Sequence, residues 1–185
     1  MVQALREKAP GPLWWLQSAV AGLVGGAMMA LVTMIWTFAE GNGFWWPLNV
    51  VAGAYPAFRP PMLGFELGAT MVGVTTHLAI TTLLGLAYGA VAAAFFPRVA
   101  RDWTSAALLG LGWGVAIWAV VGAWIGHQIN PFLTLTPTFG FFVAHLIYGV
   151  TTALIMCAFT RKRQLLVTFA PETVEIERPR VGPYV

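Results

Sequence analysis

Charge is the scarcest property of this sequence. Only 10 Lys or Arg and 7 Asp or Glu stand among 185 residues, 9% in all, whereas a soluble domain carries about a quarter. A chain this poor in charge cannot cover a water-facing surface of its own size, which excludes a soluble catalytic domain and a charged disordered segment. The net charge of +3 is too small and too scattered for a nucleic-acid surface, which needs a solvated basic stripe. Cysteine is nearly absent as well: Cys157 stands alone, so no disulfide framework and no thiolate metal site can form within the chain. Missing too are a phosphate-binding Gly-x-x-x-x-Gly-Lys loop, a His-Glu-x-x-His pair and a serine in a nucleophile-elbow setting. With no complete chemical constellation, the chain is expected not to be an enzyme.

What is present is apolar: 58% of the residues are hydrophobic. Crossing a hydrocarbon core takes about 20 apolar helical residues, and four segments qualify, 13–38, 67–96, 106–125 and 139–160. The expected fold is an all-α membrane protein, four transmembrane helices in an up-down-up-down bundle, between a short N-terminus at 1–12 and a tail at 161–185. The first run is long enough to span and lacks a small-residue cleavage site, so it reads as a retained helix rather than a signal peptide. Arg6 and Lys8, Arg98 and Arg101, and Arg161 to Arg163 fall on one side, and only Arg59 on the other. Short basic loops stay cytoplasmic, so both termini are expected inside, in a bacterial inner membrane. Trp14, Trp15 and Trp103 at the inner ends, and Trp45, Trp46, Phe132 and Phe139 at the outer ends, make two aromatic belts.

The helices read as two hairpins of similar design. Glycines four apart recur at Gly22 and Gly26 in helix 1, Gly85 and Gly89 in helix 2, and Gly110 and Gly114 in helix 3. His77-Leu78 and His145-Leu146 occupy the returning helices, a pattern suggesting a tandem, parallel repeat. Lipid tails give helices no hydrophobic reason to associate, so close backbone approach at such glycines has to supply the packing. These glycines are the expected packing faces, within the bundle or against partner subunits.

Two polar stripes run through this apolar setting. In helix 2, Thr70, Gly73, His77, Thr81, Gly85 and Tyr88 share one face, while Leu78, Leu83 and Leu86 point elsewhere. In helix 4 the stripe is Phe142, His145, Gly149 and Thr152, with Tyr148 beside it. At about 1.5 Å per residue both histidines fall in the middle or outer half of the membrane. An ionisable residue at that depth is a candidate functional site. The plain expectation is a neutral imidazole bonded to a threonine or a backbone carbonyl of another helix. The sharper alternative is that His77 and His145 are axial ligands of one b-type haem, with glycine at 73, 85 and 149 making the slot. A proton relay or a quinone contact is a third role. His127, at the outer end of helix 3, is expected at the interface.

The first outer loop, 40–64, is too apolar to be solvated and too broken by Pro47, Pro56, Pro60 and Pro61 to span. It is expected to lie in the interface, with a short helix beginning at Pro47. Glu40 and Glu66 flank it, and a pairing with Arg59 is the ordinary way to hold such a loop. Beyond Arg163 the character changes, with short β-prone runs at 165–169 and 173–176 divided by Pro171.

Four helices, a "GFWWPLN" outer loop and a late "HLIYG" helix resemble a loose group of predicted bacterial inner-membrane proteins. The resemblance implies topology and compartment over the membrane region and carries no activity. The expected function is a non-enzymatic accessory subunit without a cofactor. It packs by its glycine faces against larger subunits of a respiratory, photosynthetic or transport complex, with the C-terminal tail as a cytoplasmic clasp. A haem b electron-transfer subunit and a small transporter or channel-like protein are the alternatives.

Overall fold

The computed structural model describes residues 11–96 and 102–168, apart from the side chains of residues 123, 125 and 163–168. Arg6, Lys8, Arg98 and Arg101, used above to orient the chain, and the expected clasp from 169 onward lie outside the described residues.

Six α-helices follow in order: α1 Pro12–Ala39, α2 Trp46–Ala52, α3 Leu67–Phe95, α4 Trp103–Val120, α5 Gly126–Ile129 and α6 Thr138–Thr168. No strand occurs among the described residues. α1, α3, α4 and α6, the last as far as Lys162, are long and apolar enough to cross a membrane. The chain is an all-α, multi-pass membrane protein.

Local chemistry sets where these helices start and stop. α1 opens on Pro12, whose fixed φ suits a first turn. It closes in a Schellman motif, the Asn42 N–H reaching the Thr37 carbonyl and the Gly41 N–H that of Phe38, with Gly41 at φ +82°. The Glu66 carboxylate caps α3, accepting from the backbone N–H of Gly68 at 3.1 Å and of Ala69. α4 starts earlier than hydropathy alone suggests, because Asp102 accepts from the Ser105 N–H at 2.8 Å and caps the turn at Trp103. α6 runs past the basic cluster to Thr168, overturning the β-prone reading of 165–168. Helix-forming Arg161 to Gln164 extend it, and no glycine or proline intervenes between Gly149 and Pro171.

The helices pack in the order α3, α1, α6, α4. Within each hairpin the contact is backbone on backbone. A Cβ on Gly22 would stand 2.5 Å from the Thr81 carbonyl oxygen and 2.7 Å from the Gly85 Cα. A Cβ on Gly110 would stand 2.5 Å from the Gly149 carbonyl oxygen and 2.8 Å from the Ala153 Cβ. Gly22 is thus to Thr81 and Gly85 what Gly110 is to Gly149 and Ala153, the correspondence that a tandem hairpin repeat produces. Gly26 lies against the Thr81 side chain, Gly89 against Ser18, and Gly114 against the backbone at His145 and Leu146.

The two hairpins join through α1 and α6. A twofold repeat about an axis along the bundle would also bring α3 against α4. That fourth interface is missing: among the described residues α3 and α4 share no packed face of comparable extent. The side chains of Tyr88 and Trp113 bridge part of the gap, their rings edge to face at 5.9 Å. The helices therefore form an open arc.

Two predictions follow from this packing. Gly22→Ala and Gly149→Ala are each expected to destabilise the protein by about 1–3 kcal/mol, the usual cost of overpacking. Gly112→Ala, with nothing within 4 Å, is expected to be neutral or slightly stabilising, alanine being the better helix former; reversible unfolding in detergent micelles that ranks all three alike would contradict these glycine contacts. The second concerns Asp102, whose carboxyl is held below its usual value of 3.8, chiefly by the Ser105 backbone hydrogen bond. A depressed folded value means that the cap is fully effective above 3.8 and is lost as pH falls through the lower folded value. Amide exchange at Ser105, corrected for its intrinsic rate, is expected to accelerate on acidification below about pH 4, and Asp102→Asn to abolish that pH dependence.

Candidate functional site

The gap between α3 and α4 encloses a cavity of about 300 Å³. Thr76, His77, Ile80, Thr81 and Leu84 of α3 form one wall, and Ile117 and Val120 of α4, with Val121, the other. Met29 of α1 and Phe141, His145 and Tyr148 of α6 close the back. Its exposed rim is apolar: Ile80, Val120 and Ile129, which border it, are 48%, 43% and 63% exposed.

The roof is the segment that follows α4. Residues Val121–Ile125 make a π turn, with the Gly126 N–H reaching back to the Val121 carbonyl. The helix then resumes as α5, and a 3-10 turn spans Pro131–Leu135. A π turn inserts one residue into the helical ladder. Gly126, Ile129 and Asn130 all border the cavity. Asn130, 4% exposed, donates from Nδ2 to the Val50 carbonyl at 2.6 Å and accepts from the Phe132 N–H. This ties the roof to α2.

α2 itself is the short helix expected at Pro47, packed on α3 so closely that Gly73 lies directly beneath the Leu48 carbonyl. Asn49, fully buried, holds it there, donating to the Met62 and Gly64 carbonyls at 2.8 Å and accepting from the Thr70 hydroxyl. The expected pairing of Arg59 with Glu40 or Glu66 does not form among the described residues. Arg59 donates instead to the Gly53 and Ala54 carbonyls at 2.7 and 2.9 Å. Glu66 is spent on the α3 cap, and Glu40 accepts from Trp36 Nε1 at 2.7 Å. An exposed guanidinium close to free carbonyls gains more from them than from a distant, already engaged carboxylate.

His77 and His145 both line this cavity. His77 Nε2 lies 2.9 Å from the Gly26 carbonyl of α1, which the glycine face leaves open to approach. His145, 3% exposed, places Nδ1 2.7 Å from the Phe141 carbonyl one turn back, and its ring is set edge to face against Phe141 at 4.3 Å. Beside them the Tyr148 hydroxyl donates to the Thr81 carbonyl at 2.7 Å, joining α6 to α3. His127 is exposed on α5. Cys157 is buried away from the cavity. Among the described residues no three of His, Cys, Asp and Glu come together.

A haem between His77 and His145 needs a slot for four pyrrole rings. The glycines expected to make it are occupied: Gly73 by the Leu48 backbone, Gly85 by Gly22, and Gly149 by Gly110 and Gly114. A cavity of about 150 Å³ holds one benzene, so the space here suits one substituted ring, and a b-type haem does not fit without parting the helices.

Asn49, Asn130 and the π turn are what sequence reasoning missed. The asparagines left a trace, each standing inside an apolar loop where nothing soluble explains it. Compared with known protein families, characterised proteins and solved structures, the chain finds no match. Its class is therefore the one the fold defines, a multi-pass α-helical membrane protein, here with a lateral cleft between two of its helices.

Two outcomes are expected of the histidine pair. His77→Leu should destabilise the protein by about 0.5–2 kcal/mol, the range for polar contacts between membrane helices, and His77→Gln by less, in the same micellar unfolding experiment. The purified protein should show no Soret band.

Proposed function

We propose that the chain is a non-enzymatic membrane subunit that binds an apolar, ring-sized molecule in the cleft between α3 and α4. We place it in a bacterial inner membrane with both termini cytoplasmic. One observation carries the reading: a cavity of about 300 Å³, bordered by the buried His145 and the half-buried His77, lies open between α3 and α4 where a tightly packed repeat would close. Pockets for small molecules share its character, a mostly apolar wall with a few placed polar groups.

An accessory role within a larger membrane complex fits the same cleft. A molecule sheltered there faces sideways, toward whatever packs on α3 and α4, and the chain would hold and present it rather than transform it. The expected outcome is that protein extracted from its native membrane in mild detergent carries one small molecule in near-stoichiometric amount, detected by mass spectrometry of the organic extract. Ile117→Phe, which fills the cavity, should lose it while the protein stays folded. Absence from the wild type, or equal recovery from both proteins, would overturn the reading.

A further inference from the structure

Resting on that reading, we infer that the occupant carries a ring hydroxyl, as in a phenol or a quinol, which donates a hydrogen bond to Nε2 of His145. The inference follows from counting donors. A carbonyl oxygen only accepts, so the nitrogens that face the Gly26 and Phe141 carbonyls, His77 Nε2 and His145 Nδ1, must carry the ring hydrogens. No carboxylate borders the cavity, and hydrocarbon tolerates the neutral imidazole far better than its cation. Each histidine therefore keeps one nitrogen with a lone pair and no hydrogen, an acceptor.

Those acceptors are still free. His145 Nε2 is the far nitrogen of a ring that is 3% exposed, and it has no hydrogen-bond partner among the described residues. It is not sealed either: among the described residues the fully enclosed side-chain atoms without a partner are Trp46 Nε1, Tyr88 Oη and Trp113 Nε1. The neighbouring hydroxyls are spent, that of Tyr148 on the Thr81 carbonyl and that of Thr81 on the Leu78 carbonyl. Among the described residues the surroundings of His145 thus offer an acceptor and no free donor. The spare donors in the wall are the second Nδ2 hydrogen of Asn130, at the roof, and the hydroxyl hydrogen that the Thr76–Tyr55 pair leaves over beside the α3 wall. A buried acceptor left bare costs more than its bond returns. A quinone or a ketone brings only acceptors to the histidines, whereas a phenolic hydroxyl brings the missing hydrogen. The apolar mouth at Ile80 and Val120 fits a molecule that arrives from the lipid and leaves its alkyl substituent there.

The test is a titration of the full chain in detergent micelles, followed by ¹⁹F NMR, with ring-fluorinated 4-butylphenol and its methyl ether. The phenol is expected to bind at least tenfold more tightly than the ether. His145→Phe should erase that preference, and His145→Gln, whose amide oxygen can accept near the same point, should keep part of it. Equal binding of phenol and ether by the wild type, or a preference untouched by His145→Phe, overturns the hydroxyl inference and leaves the cleft reading standing. If neither compound shows saturable binding, or if Ile117→Phe leaves binding unchanged, the inference and the cleft reading both fall. The wild-type comparison needs no variant, so a misfolded substitution does not spoil the test.

Discussion

Everything in this molecule depends on backbone meeting backbone at glycine. A bilayer is as apolar as leucine, so burying leucine between helices gains little, and the helices must earn their contact through dispersion and through polar bonds made at short range. Gly22 against Gly85, and Gly110 and Gly114 against Gly149, bring helix axes close enough for both. The same closeness makes the polar ties possible. His77 reaches the Gly26 carbonyl, and the Thr81 carbonyl that lies over Gly22 also accepts from Tyr148. One side chain larger than hydrogen at Gly22 disturbs both the helix contact and the carbonyl on which the third helix is hung.

Where glycine is absent the helices stand apart. The facing surfaces of α3 and α4 carry Ile80, Leu84, Ile117 and Val120 in place of a glycine pair, and neither backbone can approach the other. Bulk on both sides of an interface makes a cleft as surely as its absence makes a seam. The Tyr88–Trp113 contact spans the gap at one end, and the Asn130 bond to Val50 ties its roof to α2 at the other.

Much of this was legible in the sequence. Four spans, the short helix at Pro47, and the helical faces bearing Thr70, Gly73, Thr81 and Gly85 follow from period and composition, because a helix displays its pattern along one chain. The missing α3–α4 interface was not legible, since it depends on which faces are left over once three other interfaces have formed. Arg59 shows the same limit on a smaller scale: opposite charges flanking a loop suggest an ion pair, yet backbone carbonyls, which no sequence pattern displays, were nearer. The histidines were found from sequence, but their free nitrogens were not, because a tautomer is set by the carbonyl that happens to lie opposite.

The π turn at Val121–Ile125 has a consequence for how the roof came to point inward. One residue in a helix is about 100° of rotation, so a single inserted residue turns everything downstream of it by more than a quarter circle. Gly126, Ile129 and Asn130 border the cavity on the far side of that insertion. In a strictly α-helical segment of the same composition their face would be turned from the gap, and the chain would enter the 3-10 turn with Asn130 aimed away from Val50. The orientation of the whole roof is thus encoded in a length rather than in any side chain, and changing that length by one residue is the smallest alteration that would reseat it.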